Sequence, residues 1–310
     1  TILLLGNDSL CITPYPDSPP STSGYVTIPS MTSAHPARRF FRRVSTALTA
    51  PAGNSALRVW RPKASLQRAV GLLSDFRYEQ TRPDIFYGHL AEDTVGLIEA
   101  LWRGATGREL PGSKILDVGG GPGYFGVAFG DAGAEYVTCE PDVGEMAAAG
   151  ITLASSVRGS GMELPFIDEA FDITYSSNVA EHVPEPWVMA NEMLRVTKPG
   201  GVMIYSYTVW LGPFGGHETG LWEHYVGGEF AARRYEKKMG KPPKNRWGES
   251  LFNVSAADGL RYGQRVAAAG GAELVAAFPR YHPWWAWWMV RVPLLREFAV
   301  SNLVLVFRKA

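Results

Sequence analysis

The spacing of apolar residues divides the chain into segments of strand length and segments of helical period. Short apolar runs bounded by glycine or polar residues predict strands, and apolar residues three or four positions apart predict helices. From Lys114 onward the two kinds alternate, which is typical of βαβ units in a doubly wound α/β sheet. The predicted strands are Lys114–Val118, 136–140, 152–157, 171–176, 201–207, 272–278 and 302–308, and the predicted helices are Tyr124–Asp131, 143–149, 186–197 and 256–269.

Three regions depart from this alternation. Residues 1–55 are rich in Pro, Ser, Thr and Gly and lack apolar periodicity, so we expect a disordered or loosely attached segment. Residues 64–102 carry apolar residues at helical spacing, which predicts an N-terminal helical flap of two or three helices. Residues 209–255 are rich in glycine and aromatic residues, and long insertions of this kind are usually functional or disordered. We interpret residues 64–310 as one domain in which 209–255 form a substrate lid.

Composition excludes several classes of function. Thirty basic and thirty acidic residues give a formal net charge of zero, so no bulk field would recruit nucleic acid. Cys11 and Cys139 are far apart in sequence, and a disulfide framework is not expected. No apolar run approaches the roughly 20 residues that span a bilayer. We therefore expect a cytoplasmic protein that binds no nucleic acid.

The strongest local signal is a glycine-rich turn after the first predicted strand of the sheet. Four glycines within residues 119–123 stand between that strand and a helix. Glycine there permits positive φ and lets a ligand approach bare backbone. Residues 121–126 also fit GxGxxG, which together with Glu140 after the next strand favours a nicotinamide or flavin site. Asp117 before the turn instead favours a cationic ligand group, because a carboxylate would repel a pyrophosphate.

Downstream motifs decide between these two interpretations. ILDVGGGPG at 115–123, Glu140, ELPFIDEAFDITYSSNVAEHVPEP at 163–186 and EMLRVTKPGGVMIYS at 192–206 follow one another in order. In these motifs the chain resembles the class I S-adenosylmethionine-dependent methyltransferases, in the group called methyltransferase type 11. The resemblance implies a Rossmann-like sheet, S-adenosyl-L-methionine as the cofactor and methyl transfer as the activity.

The same resemblance implies a set of cofactor contacts. Asp117 and the glycine turn would hold the methionine end, Glu140 the ribose hydroxyls, and Asn178 would face the sulfonium. Many relatives have an aspartate for the adenine amino group where this chain has Ser160, so the adenine would be held by main chain near Gly161 and by Met162. The implied cofactor-binding residues are Asp117, Gly119, Gly120, Gly121, Gly123, Glu140, Gly161, Met162 and Asn178.

Histidines provide the candidates for a general base, from which a hydroxyl acceptor would benefit. His182 follows the fourth of these strands, while His217 with Glu218, or else His224, could act from the insertion. The alternative for each histidine is packing at a helix start or hydrogen bonding that holds the insertion. None of these pairs fits the HExxH spacing of zinc enzymes, so no metal is predicted.

Large apolar rings are concentrated near the C-terminus. Trp284, Trp285, Trp287 and Trp288 lie within five positions. They could line an apolar acceptor pocket, sit at a membrane surface, form a homodimer contact or simply pack inside. We predict an S-adenosylmethionine-dependent methyltransferase of a small, apolar or amphipathic acceptor, with oxygen preferred as the accepting atom. The alternatives are a nicotinamide-dependent oxidoreductase and a non-catalytic subunit that binds a partner.

Overall fold

The computed structural model describes residues 55–78, 81–121, 123–141 and 155–310. The predicted helix 143–149 falls outside these ranges, as does the loose segment expected over residues 1–55 except for Ser55, where a helix begins. Among the described residues, no helix has the length and hydropathy required to cross a bilayer.

Seven strands form one sheet in the order β3-β2-β1-β4-β5-β7-β6. The first five strands run parallel to one another, whereas β7 pairs antiparallel with both β5 and β6. The α/β class and the doubly wound order are therefore confirmed. The strands are β1 (Lys114–Val118), β2 (Glu135–Glu140), β3 (Ser156–Arg158), β4 (Phe171–Ser177), β5 (Thr197–Thr208), β6 (Ala272–Pro279) and β7 (Asn302–Lys309).

Helices cover both faces of this sheet. The α-helices are α1 (Ser55–Trp60), α2 (Leu66–Asp75), α3 (Pro83–Thr106), α4 (Tyr124–Asp131), α5 (Pro186–Val196), α6 (Glu223–Val226), α7 (Gly228–Met239), α8 (Ala256–Ala268) and α9 (Leu295–Ala299), and short 3-10 helices lie at Phe76–Tyr78, Ala180–His182, His217–Thr219 and Trp284–Arg291. Local sequence explains several ends. The long helix α3 begins with Pro83 and ends at Gly107 in the left-handed conformation, and Ser255 caps α8 by accepting from the Asp258 amide.

Two apolar clusters, one on each face, show why most positions of the strands are buried. Leu116 of β1 packs in the cluster that includes Met189 of α5 and Leu260 of α8. Its neighbour Ile115 packs in the other cluster, with Leu97 of α3. Adjacent strand residues point to opposite faces, so a strand covered on both sides is mostly apolar rather than alternating between apolar and polar.

The segment between β5 and α8 folds as a lobe of its own at the carboxyl end of β5. The Trp210 amide donates to the Val254 carbonyl at 3.0 Å, which joins the first and last residues of the lobe. The Phe252 amide donates to the Glu181 carbonyl at 2.8 Å and attaches the lobe to the turn after β4. The lobe thus sits at the sheet edge where ligands bind in doubly wound folds.

Candidate active site

The glycine turn lies at the point where the strand order reverses, because β1 has β2 on one side and β4 on the other. Gly119 adopts φ +83° and its amide donates to the Cys139 carbonyl at 2.8 Å. A Cβ on Gly120 would lie 2.5 Å from Thr138 Oγ1 and 2.8 Å from Asp117 Oδ2, so no side chain fits there. Gly121 and Gly123 also have positive φ, and Gly121 faces open space. The turn therefore presents bare backbone to a ligand.

Asp117 lies beneath this turn with only 2% of its surface exposed. The Tyr136 hydroxyl donates to its carboxylate at 2.7 Å. Burial raises the pKa of Asp117 to about 7, the hydrogen bond from Tyr136 opposes the rise, and the nearby Glu140 carboxylate adds to it. An ordinary aspartate is fully ionised at neutral pH, whereas this one is poised to gain or lose its proton when a charged ligand arrives.

Glu140 and the segment after β3 form the other side of the pocket. Glu140 ends β2 and is largely buried, and the Gly121 amide donates to its Oε2 at 3.4 Å. A Cβ on Gly161 would lie 2.8 Å from Met189 Sδ, so the backbone at Gly161 packs directly on α5. The Met162 amide donates to Ser160 Oγ at 3.2 Å, and the Met162 side chain packs on the core. The Ser160 hydroxyl therefore shapes the turn whose main chain is expected to hold the adenine.

Asn178 belongs to a polar network at the ends of β4, β5 and β7. Its backbone has φ +56°, and its side-chain oxygen accepts from Asn302 Nδ2 at 2.7 Å and from Thr208 Oγ1 at 3.4 Å. Asn302 in turn accepts from Ser206 Oγ at 2.7 Å. This network fixes the orientation of the Asn178 amide at the carboxyl edge of the sheet.

A second cluster joins the turn after β4 to the lobe. Glu181, His182 and His217 each offer one ligand atom within 4.8 Å of the other two. His182 and His217 contact edge to face, with ring centroids 4.9 Å apart. Burial lowers the pKa of His217, the Glu181 carboxylate opposes this, and His182 adds to it. His217 is therefore neutral at physiological pH and has a free lone pair.

Glu218 and His224, two other residues predicted for catalysis, have different partners. The Glu218 carboxylate accepts from the Asn245 amide at 2.7 Å and from Asn245 Nδ2 at 2.8 Å. Burial raises the pKa of Glu218 but is outweighed by these hydrogen bonds, so the pKa is lowered. His224 is 1% exposed, packs on Trp210, and its Nε2 lies 3.1 Å from the Gly212 carbonyl. Neither belongs to the cluster that contains His182 and His217, and both hold the lobe together.

Comparison with known proteins identifies the family. The methyltransferase domain family matches residues 116–205, which include the glycine turn and Asn178. An uncharacterized methyltransferase of Mycobacterium avium (strain 104) is 59% identical over 254 residues, covering 81% of this chain and 98% of the relative. One of Mycobacterium marinum (strain ATCC BAA-535 / M) is 60% identical over 248 residues, covering 79% and 95%. The chain belongs to the S-adenosylmethionine-dependent methyltransferases.

Solved structures that resemble the methyltransferase are distant in sequence. An S-adenosylmethionine dependent methyltransferase from Mesorhizobium loti is 17% identical, with a TM-score of 0.45 over 65% of this chain and 93% of that chain. The family assignment comes from the sequence relatives, and it confirms the resemblance and the cofactor. Neither the nicotinamide-dependent oxidoreductase nor the non-catalytic subunit is favoured by these relatives.

Cofactor binding to the methyltransferase is expected to depend on pH through Asp117. A cofactor ammonium beside this carboxylate would favour its ionised form and lower its pKa from about 7. Binding then releases a proton below neutrality, and the dissociation constant of S-adenosylhomocysteine should rise about tenfold from pH 8 to pH 6. Calorimetry in two buffers of different ionisation enthalpy measures both the dissociation constant and the number of protons released on binding. An affinity of the wild type that is flat over this range, and equal to that of Asp117→Asn, would contradict the prediction.

Two residues of this region of the methyltransferase were not predicted from sequence. Glu181 directly precedes the candidate base His182 in sequence, and its carboxylate completes the cluster. Arg280 follows β6 and is buried, and its guanidinium donates to Ser177 and Thr94. Its charge also opposes the rise in the pKa of Asp117. Arg280 could have been found from sequence, because a charged residue directly after an apolar strand lies at the edge of the sheet where ligands bind. Glu181 could not, because its cluster forms only when the lobe, about 35 residues downstream, folds back onto the turn after β4.

Proposed function

We propose that this methyltransferase transfers a methyl group to an oxygen atom of a small, apolar or amphipathic acceptor. The observation that carries the proposal is the cluster of Glu181, His182 and His217 at the carboxyl edge of the sheet. A hydroxyl is a poor nucleophile until it loses its proton, so a site for oxygen acceptors needs groups that help remove it. Two imidazoles and a carboxylate are suited to that task.

The residues around the glycine turn fit the cofactor. Asp117 would hold the ammonium, Glu140 the ribose hydroxyls, and the backbone near Gly161 and Met162 the adenine. The open space at Gly121 leaves room for a ligand against the main chain, and the close packing behind Gly120 holds the turn on Asp117. When bound, S-adenosylmethionine supplies an electrophilic methyl group. The protein residues have to orient the acceptor in line with that methyl group and keep water away.

The cluster reaches the methionine side of this pocket through the network of Asn178. The Thr208 amide donates to Glu181 Oε1 at 3.2 Å, and the Thr208 hydroxyl donates to Asn178 Oδ1 at 3.4 Å. Asn178, the residue expected to face the sulfonium, is therefore linked through Thr208 to the cluster. This connection supports a role for His182 and His217 at the acceptor oxygen, with Glu218 and His224 holding the lobe in place.

Exposed aromatic residues support an apolar or amphipathic acceptor. Trp285 and Trp288 are 56% and 52% exposed, while Trp287 packs against Phe278 with centroids 4.7 Å apart. In the lobe, Leu221 and Trp222 are also exposed. These exposed apolar side chains are available to an apolar ligand, a membrane or a partner protein. A membrane or homodimer contact through residues 284–288 remains a prediction.

Transfer of a labelled methyl group tests the proposal. The purified protein is incubated with methyl-labelled S-adenosylmethionine and a lipid and metabolite extract, and products are separated by solvent extraction and mass spectrometry. We expect label in an organic-soluble product that carries a new methyl ether or methyl ester. Label found only in protein or RNA, or only on nitrogen or carbon, would contradict the proposed acceptor class.

A further inference from the structure

We propose that Glu181, His182 and His217 form a three-ligand site for a divalent transition metal ion of the Zn²⁺ class. The site has an open position for an oxygen ligand, and the claim that this ligand is the methyl acceptor rests on the proposed function. The expectation of no metal came from spacing within single sequence motifs. The fold instead combines a pair from the turn after β4 with a histidine from the lobe.

The two histidines are oriented as metal ligands are. His182 Nδ1 lies 2.7 Å from the Ser250 carbonyl oxygen, and His217 Nδ1 lies 3.1 Å from the Gly215 carbonyl oxygen. A carbonyl only accepts, so each Nδ1 carries a proton, and in the neutral ring Nε2 is then the nitrogen with a lone pair for a metal ion. Zinc-binding histidines commonly donate their second nitrogen to a carbonyl or a carboxylate, which fixes the tautomer and the ring orientation.

Glu181 provides the charge. It is 2% exposed, its Oε1 accepts from the Thr208 amide, and its Oε2 is buried with no hydrogen-bond partner. Within the described part of the chain, no lysine or arginine forms a salt bridge with it. A buried carboxylate oxygen without a partner is costly. A cation bound by Oε2 and the two imidazoles would satisfy it.

The spacing of the three side chains suits one metal ion. Two imidazoles bound to one tetrahedral zinc, with Zn–N near 2.0–2.1 Å, have ring centroids about 5 Å apart, and the observed separation is 4.9 Å. The candidate ligand atoms of the three side chains are up to 4.8 Å apart, and around such an ion their separation would have to shrink to about 3.4 Å. Each atom then moves by about 1 Å, which side-chain rotation provides. The backbone of His217 has φ +49°, a left-handed conformation that is uncommon for residues other than glycine.

Two imidazoles and one carboxylate form a ligand set found in catalytic zinc and non-haem iron sites, which leaves further positions open. A hydroxyl bound to such an ion would have a lowered pKa and would release its proton to water at neutral pH. The oxygen then bonds to the methyl carbon, the carbon–sulfur bond breaks, and its electron pair stays on sulfur. The products are the methyl ether, S-adenosylhomocysteine and the released proton.

Metal binding is measured on the full chain without an affinity tag, after treatment with a chelator and dialysis into metal-free buffer. Titration with Zn²⁺ is expected to show one ion per chain with a dissociation constant in the micromolar range or below. Co²⁺ should produce the intense visible bands of a four- or five-coordinate site. His182→Ala, His217→Ala and Glu181→Gln should each weaken Zn²⁺ binding by about 100-fold. His89→Ala is the matched control, because His89 is exposed on α3 and pairs with Asp75. The affinity of this variant for Zn²⁺ should equal that of the wild type.

Binding of S-adenosylhomocysteine to each variant shows that the variant is folded. A wild type that binds no Zn²⁺, or folded variants that bind Zn²⁺ as the wild type does, would overturn the site. Acetohydroxamate, a small oxygen donor, should shift the Co²⁺ bands, and unchanged bands would overturn the open position. If Zn²⁺ binds as expected but no methyl group reaches oxygen, the metal site stands and the proposed function fails. If no metal binds but oxygen is methylated, the proposed function stands and the metal site fails.

Discussion

Replacing Gly120 with alanine is expected to weaken S-adenosylhomocysteine binding by about 10- to 100-fold, the equivalent of 1–3 kcal/mol of overpacking. The added Cβ would lie 2.5 Å from Thr138 Oγ1 and 2.8 Å from both Asp117 Oδ2 and Tyr136 Oη. To relieve these contacts, either the turn lifts into the ligand space or the carboxylate and the phenol separate. Both movements disturb the site that holds the methionine end of the cofactor.

Gly71→Ala is the matched control for this substitution. Gly71 lies within α2, where a Cβ would meet nothing within 4 Å. Cofactor affinity should be unchanged there, and stability should rise by about 0.5–1 kcal/mol because alanine is the better helix former. Calorimetry and thermal melting measure both quantities. A Gly120→Ala protein that is folded and binds S-adenosylhomocysteine like the wild type would contradict the described packing of the turn.

Replacing His217 with alanine is expected to lower kcat for methyl transfer by about 100-fold or more, the usual effect of losing a group that assists proton removal. The variant loses the imidazole whose lowered pKa keeps it neutral at physiological pH. Glu181 and Asn178 remain attached to Thr208, so the cofactor side of the site is preserved. Initial rates of label transfer into the organic-soluble product, and the dissociation constant of S-adenosylhomocysteine, are the two measurements.

Comparing kcat with the affinity for S-adenosylhomocysteine distinguishes an effect on methyl transfer from an effect on folding. His217→Ala should bind S-adenosylhomocysteine within about twofold of the wild type, and His89→Ala should match the wild type in both affinity and rate. In the wild type, kcat should be steady above pH 7 and fall as the pH drops far enough to protonate His217. If His217→Ala transfers methyl groups as fast as the wild type does, His217 does not act at the acceptor site. An equal loss of rate and cofactor affinity would mean that the substitution damages the fold.

Sequence predicted the sheet well because its strands are buried on both faces. Predicted and observed bounds agree at β1 (Lys114–Val118) and α4 (Tyr124–Asp131), where glycines mark the boundary. The start of β5 was placed at Gly201, whereas the strand begins at Thr197 because Thr197 pairs with Phe171 across an irregularity in the ladder. The antiparallel direction of β7 was missed, since strand direction depends on the path of the connection rather than on residue pattern.

The residues on the cofactor side of the site could be predicted from the sequence, whereas those on the acceptor side could be predicted only in part. Asp117, the glycine turn and Glu140 lie within one βαβ unit, so local motifs find them. The pairing of His182 with His217 depends on how a lobe of irregular sequence folds back over the sheet. Glu218 stands next to His217 in sequence, yet its carboxylate binds Asn245 instead. Adjacent positions in a short 3-10 turn point in different directions, and no pattern in the chain specifies which one faces the ligand.

The most direct measurement for this account is a calorimetric titration of the wild-type protein at pH 8 with S-adenosylhomocysteine and, separately, with NADH. The glycine turn, the titrating carboxylate of Asp117 and the buried Glu140 describe a site for a cofactor with an ammonium and a ribose, without a pyrophosphate. We expect one S-adenosylhomocysteine to bind per chain and NADH not to bind. Saturable binding of NADH together with no binding of S-adenosylhomocysteine would contradict it.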